Sequence, residues 1–244
     1  MGGTESGEVG PPRGLPLHDL GGQSGYGPVP YQVDEPAFHA EWERRVFGLM
    51  GQALRRSATR PGEFRYAIER LAATDYFDHG YYGRWEAAFE VVLEEYGVIP
   101  PGAVDQRLAA PDGTGPSARV RGVIERDPDV LPPDRPTPAP QGRTVRRALS
   151  DRPRFAPGDR VVARPGPADG GHTRLAGYVV GRRGTVVRLH PAEVLPDSSA
   201  HDLGERPQHV YCVAYDSAEL WGPDAESATI HIDLYESYLD ADQD

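Results

Sequence analysis

The sequence predicts a multi-part α+β protein: an extended N-terminal arm, a helical domain, a Pro-rich linker and a C-terminal all-β domain of the SH3-like barrel type. Three observations lead there. Apolar residues recur at three- and four-residue spacing between about 35 and 96, prolines crowd the stretch from 100 to 153, and short alternating runs separated by turn residues fill the remainder. With 244 residues, 38% hydrophobic and 9% aromatic, the chain is long enough for one or two domains with real cores. Its 29 Gly and 25 Pro exceed a fifth of the total, so long connections are expected.

Residues 1–35 carry Gly21-Gly22 and Gly25-Tyr26-Gly27-Pro28, a density of Gly and Pro that prevents regular structure, so this arm must lie on something to be ordered. The helical domain spans 36–99. Its first helix, about 35 to 54, places Phe38, Trp42, Val46, Leu49, Met50 and Leu54 on one face, with Pro36 in the first turn. A shorter helix from about 61 to 71 carries Phe64, Ile68 and Leu71, and a third from about 74 to 96 carries Tyr81, Trp85, Phe89, Val92 and Tyr96. From 100 to 153 come the pairs Pro100-Pro101 and Pro132-Pro133, then Pro136, Pro138 and Pro140, with no sustained apolar period: a linker or wrapping segment. The alternating runs Val161-Val162, Tyr178-Val179-Val180, Gly184 to Val187, His209 to Tyr215 and Ile230 to Leu234 read as strands of a small barrel over 154–240, followed by a tail at 241–244. No internal repeat is apparent.

A net charge of −11 argues against binding to a nucleic-acid duplex or a membrane surface, because neutralising phosphates needs clustered positive charge. One cysteine, Cys212, builds neither an internal disulfide nor a thiolate metal cluster, and in its alternating strand it reads as a small buried hydrophobe. No apolar run approaches the ~20 residues that span a bilayer, and the N-terminus lacks a basic-then-apolar export pattern, so a soluble cytoplasmic chain is expected. All 26 basic residues are arginine. An arginine is therefore informative through its neighbours and not through its identity.

Two such neighbourhoods stand out: Glu63-Phe64-Arg65-Tyr66 and Gly170-Gly171-His172-Thr173-Arg174. Together with Trp42-Glu43, Tyr81-Tyr82 with Trp85, Phe155 to Val162, Pro207-Gln208-His209-Val210-Tyr211, Glu219-Leu220-Trp221-Gly222 and Asp233 to Leu239, taken in this order, the chain resembles the β subunit of nitrile hydratase over roughly residues 15–240. The stretch from about 100 to 150 carries no matching motif. The resemblance implies half an active site. A low-spin cobalt(III) or iron(III) ion, cobalt preferred from the segments at 207–211 and 219–222, would sit in a partner α subunit held by three cysteines and two backbone amides, and the αβ or α2β2 complex would hydrate a small nitrile to its amide. This chain itself would bind no metal.

The resemblance also assigns roles. Arg65 and Arg174 would hydrogen-bond the oxidised cysteines of the partner, a task suited to a planar guanidinium that donates paired hydrogen bonds to sulfur oxyanions. Tyr81 would orient substrate or water, and Phe64, Trp85 and Met50 would wall the pocket. From the residues alone, Arg65 lies ~100° round its helix from the apolar face and reads as a solvated surface arginine, and Arg174 as a hairpin-tip charge; the resemblance is what turns both toward the site. Where the family often has a histidine or bulky residue, Gly83-Arg84 stand here. His172 reads as a local hydrogen-bonding residue and Arg182 and Arg183 as surface charges. Other readings are a related hydratase such as thiocyanate hydrolase or an enzyme of natural-product nitriles, one of the family's small activator proteins, or, in a different class, a nucleic-acid-binding barrel; the acidic C-terminus opposes the last and residues 154–240 oppose the activators.

Overall fold

A computed structural model of the chain describes residues 16–23, 32–56, 60, 62–110, 145–166 and 171–243. The chain divides into two compact units, Pro36–Thr144 and a second formed by Met1–Glu35 with Val145–Asp244. The first is helical, the second is built on an antiparallel sheet.

In the helical unit, α1 (Glu41–Arg56) begins later than its apolar period suggests, because residues 36–40 are irregular and the Glu43 carboxylate folds back to accept the backbone N–H groups of His39 and Ala40. That carboxylate takes up donors the helix itself leaves unpaired. α2 (Glu63–Glu69) starts at Gly62, whose φ of 93° suits glycine, and Glu63 accepts from the Arg60 side chain at 3.0 Å and from the Tyr96 hydroxyl at 2.6 Å. The single helix predicted over 74–96 is two: α3 (Ala73–Phe77) and α4 (Gly80–Glu95). The break falls at Asp78-His79, and Gly80, at φ 67°, turns the chain in the left-handed region that other residues avoid. α2 packs on α4 through Ala67, Ala88 and Val92, all essentially without solvent contact, with Phe64, Ile68, Leu71 and Tyr96 around them. Small residues at the centre let the two helices approach closely.

Part of the Pro-rich stretch is ordered. Residues 103–109 form α5 (Ala103–Ala109), and at its other end Arg147 N–H donates to the Ala192 carbonyl at 2.8 Å while Arg147 forks onto Glu205. Positions 111–144, which hold the Pro132-Pro133 pair and Pro136 to Pro140, lie outside the described residues.

The second unit carries β1 (Arg160–Ala163), β2 (Arg183–Glu193), β3 (Gln208–Asp216), β4 (Thr229–Tyr235) and β5 (Leu239–Ala241) in the antiparallel order β4-β3-β2-β1-β5. Short helices α6 (Pro196–Ser199) and α7 (Ser217–Trp221) interrupt it. Among the described residues no ladder joins β4 to β5, so the sheet is open by hydrogen bonding. The strand predicted at 178–180 is instead a 3-10 turn over Gly177–Val179. It still delivers Val179 to the core, which otherwise collects Val161, Val186, Tyr211, Val213, Tyr215, Leu234 and Leu239 from the strands. Alternation explains this: β3 runs Tyr211, Val213, Tyr215 inward and Cys212, Ala214 outward. Cys212 is accordingly half-buried on the outer face and not in the core.

Of the N-terminal arm, residues 16–23 lie on this unit. The Gly177 N–H donates to Asp19 Oδ2 at 2.8 Å, and Gly21 and Gly22 press so close to the Tyr178 and Trp221 rings that a Cβ would come within 2.6 to 2.8 Å of ring atoms. Only glycines fit between backbone and ring there.

Candidate functional site

The helical unit opens a cavity of about 440 Å³ bordered by Met50, Phe64, Arg65, Tyr81 and Trp85. Helix geometry brings them together. Phe64 and Arg65 lie at the start of α2, Tyr81 and Trp85 four residues apart on α4, and α2 is held to α4 by the Ala67–Ala88–Val92 contact. Trp85 is the hub of the wall: its ring meets Tyr81 at 5.1 Å between centroids, Tyr82 at 5.6 Å, Phe64 edge-on at 6.0 Å and Phe47 at 6.3 Å. Such edge and offset contacts stiffen a pocket wall beyond what area burial supplies.

Three guanidinium groups border the same space. Arg60 is tied to Glu63, and Arg84 lies over the Tyr76 ring at 4.6 Å with its Nε buried and without a hydrogen-bond partner among the described residues. Arg65 is exposed and makes no hydrogen bond or ion pair among the described residues. The sequence pointed to Arg65 but gave no site role to Arg60 or Arg84. For Arg84 a signal was present, since it follows Tyr81 by three residues and so shares its helix face; Arg60 precedes the helix and had none.

Arg174 stands in the other unit, on the irregular segment between residues 171 and 176. Its position is fixed from below. His172 and Leu175 on either side are buried, the His172 N–H donates to His201 Nε2 at 2.9 Å, and the Tyr238 hydroxyl accepts from the Arg174 N–H and from Thr173 Oγ1, both at 3.2 Å, while donating to Asp197. One buried hydroxyl thus pins three groups. Burial, with Asp197 beside it, pushes the Tyr238 hydroxyl pKa well up, so it stays a donor to that carboxylate. Burial likewise pushes Tyr235 up to about 12, against the lowering effect of the nearby Arg174 charge. The Arg174 side chain itself is exposed and, among the described residues, forms no hydrogen bond or ion pair. Tyr238 was visible in the sequence only as part of a matching segment, without a role.

Among the described residues, one grouping of three His, Cys, Asp or Glu side chains lies close enough to share an ion: His190, Cys212 and Asp233, on the sheet. No described helix is long and apolar enough to cross a membrane.

Comparison with known proteins identifies the family. The family described as nitrile hydratase beta subunit, N-terminal, matches residues 16–130, and the family described as nitrile hydratase beta subunit, C-terminal, matches residues 144–241. The low-molecular weight cobalt-containing nitrile hydratase subunit beta of Rhodococcus rhodochrous is 36% identical over 91% of this chain and 97% of its own length. The nitrile hydratase subunit beta of Pseudomonas putida is 35% identical over 92% of this chain and 98% of its own, and the cobalt-containing nitrile hydratase subunit beta of Pseudonocardia thermophila is 32% identical over 92% and 95%. With both halves matched in order and the relatives covered nearly end to end, the chain belongs to the nitrile hydratase β-subunit family.

Proposed function

We propose that this chain completes the active site of a nitrile hydratase by presenting Arg65 and Arg174 to the oxidised cysteine ligands of an α subunit's metal ion. Tyr81 orients substrate, and Met50, Phe64 and Trp85 wall the nitrile pocket. The observation that carries this reading is the convergence of five of these six side chains on one cavity, with Arg65 at its border and unpaired among the described residues.

Exposed arginines such as Arg45 and Arg182 also lack a side-chain partner among the described residues, so what is informative is the place of Arg65 at the border of the cavity. Arg70, Arg147 and Arg160 are matched to Glu95, Glu205 and Asp242. Arg65 and Arg174 are left to an outside anion, and a guanidinium can donate two parallel hydrogen bonds to oxygens of one sulfur group. When bound in the α subunit, the ion, low-spin Co(III) in preference to Fe(III), supplies Lewis acidity toward the nitrile; the cobalt-containing relatives favour that choice. This chain contributes position and charge. Tyr81, 60% exposed, directs its hydroxyl to whatever enters the mouth of the cavity, and the aromatic wall excludes water from the nitrile's apolar end.

The α subunit also explains an otherwise costly surface. Trp42, Phe47 and Leu49 on α1 are between 45% and 61% exposed, a concentration of apolar groups on one helix that a partner would cover. We place the working complex, αβ or α2β2, in the cytoplasm, with the C-terminal unit as an SH3-like barrel and without a nucleic-acid role.

The test is co-expression with the α subunit. Arg65→Ala and Arg174→Ala should each leave both units folded by circular dichroism and lower nitrile turnover or metal content by ~10 to 100-fold. Full turnover and full metal content in both variants would falsify the assignment.

A further inference from the structure

We propose that His190, Cys212 and Asp233 form a binding site for one divalent transition-metal ion of the zinc type on the outer face of the sheet. The three ligand atoms come from three adjacent strands, β2, β3 and β4, and all lie within 4.8 Å of one another. His190 Nε2 is 3.1 Å from Asp233 Oδ1, and Asp233 also hydrogen-bonds the Cys212 thiol.

The backbone makes this meeting unavoidable. Cys212 pairs directly with Asp233 across β3 and β4, so both side chains leave the same face. On the β2 side, the register slips between Val186, paired with Val213, and Arg188, paired with Cys212. Val187 is the extra residue of a β-bulge. Without it His190 would fall on the same face as Val186 and enter the core; with it, His190 moves to the outer face, diagonal to Cys212. The bulge therefore converts a core position into a third ligand.

The donor set is selective. A neutral imidazole, a thiolate and a carboxylate are the combination that zinc and its borderline-soft neighbours accept, whereas calcium and magnesium require oxygen alone. Tetrahedral bonds of ~2.0 to 2.3 Å put ligand atoms ~3.3 to 3.8 Å apart. The observed spread closes to that by side-chain rotation, because His190 and Cys212 are only partly buried and Asp233 is exposed. A fourth position remains for water or an outside ligand. Arg188, paired across from Cys212, places a positive charge beside the ion, and burial, then the Asp233 charge, pushes the Cys212 thiol up, so the metal must displace its proton on binding. Thiolate and carboxylate together contribute two negative charges against that one. None of the three ligands belongs to the cavity or to the Arg174 segment, so the site stands whether or not the proposed role of the arginines does.

The experiment uses the untagged αβ complex, stripped of loosely held metal with a chelator and titrated with Zn2+. Wild-type complex should take up one Zn2+ per β chain beyond the metal of the α subunit, counted by elemental analysis after gel filtration, and its melting temperature should rise by a few degrees. His190→Gln, Cys212→Ser and Asp233→Asn should each weaken that uptake by more than about tenfold while melting like the wild type in chelator. If Cys212→Ser does not fold, the other two variants, whose side chains reach the surface, carry the test. Absence of the extra zinc in the wild type, or its undiminished uptake by the His190→Gln and Asp233→Asn variants, overturns the proposal.

Discussion

Arg65 and Arg174 are offered to the outside by opposite means. In the helical unit the arrangement rests mainly on packing: Ala67, Ala88 and Val92, with Phe64, Ile68, Leu71 and Tyr96 around them, seat α2 on α4 and set Phe64 and Arg65 against Tyr81 and Trp85. In the sheet unit it rests on hydrogen bonds, with the Tyr238 hydroxyl holding Thr173, Arg174 and Asp197 at once. The difference decides what each site tolerates. A packed contact survives exchange of apolar groups of similar volume and fails when volume changes, whereas a hydrogen-bonded hub fails when one oxygen is removed.

The largest effect belongs to the guanidinium groups themselves. Beyond the alanine variants, Arg65→Lys and Arg174→Lys should recover little of the ~10 to 100-fold loss, because an ammonium is a point charge without the fork that two oxygens require. Recovery of wild-type turnover by lysine would mean that charge, and not geometry, is what the partner needs.

Tyr238→Phe comes next and strikes only one unit. It leaves the Arg174 N–H and the Thr173 hydroxyl without this acceptor and Asp197 without this donor, a cost of about 1 kcal/mol for groups that are only part-buried. Thermal melting of the complex should show that loss, and turnover should fall with it as the Arg174 backbone loosens. Unchanged stability would show that water replaces the hydroxyl at no cost.

The matching change in the helical unit is Ala88→Leu. Ala88 has no solvent contact, so the added carbons push α2 from α4, costing ~1 to 3 kcal/mol of strain. Because the cavity walls ride on both helices, KM for nitrile should rise more than kcat falls. Kinetics indistinguishable from the wild type would mean that the cavity does not depend on this contact.

How much of this was legible beforehand follows the same division. The aromatic face of α4 and the neighbourhood of Arg65 could be read, because helical spacing maps sequence onto a face and five of the six expected site residues do border one cavity. Tyr238 could not. Its role depends on contacts with residues 41 to 65 positions away, and no local pattern encodes them. The apolar period runs unbroken through Asp78-His79 and so hides the break between α3 and α4, and prolines on both sides hide the seven residues of α5. Cys212, flanked by Tyr211 and Val213 in its alternating strand, reads as a small buried hydrophobe, yet with both neighbours inward strand parity puts it half-buried on the outer face.

A smaller effect is confined to the sheet unit and to high pH. Burial first, then the Glu236 hydrogen bond, pushes Tyr211 up to about 12, and burial does the same for Tyr235, from an ordinary value of 10. Each raised pKa means the folded state holds its proton longer than the unfolded chain does. The stability this represents is complete below pH 10 and is lost as pH climbs through about 12. Tyrosinate absorbance should rise together with loss of the sheet's circular dichroism. Ionisation of these tyrosines near pH 10 with the sheet intact would contradict it.

The smallest effects should be the same in both units. Arg70 forks onto Glu95 in the helical unit, with 2.7 and 3.1 Å contacts, and Arg147 forks onto Glu205 in the sheet unit, with 2.7 and 2.6 Å contacts. Both pairs are more than a third exposed. Solvent screening and the entropy of fixing two long side chains hold such a pair to about 0 to 1 kcal/mol whatever lies beneath it. Arg70→Ala and Arg147→Ala should therefore shift melting by no more than a few degrees, less in high salt, and leave nitrile turnover unchanged. A loss at Arg147 that matched Tyr238→Phe would show that the segment at 145–150, which this arginine ties to Glu205 and the end of β2, supports the Arg174 unit as a whole, and the hydrogen-bonded half of the comparison would then extend well beyond one hydroxyl.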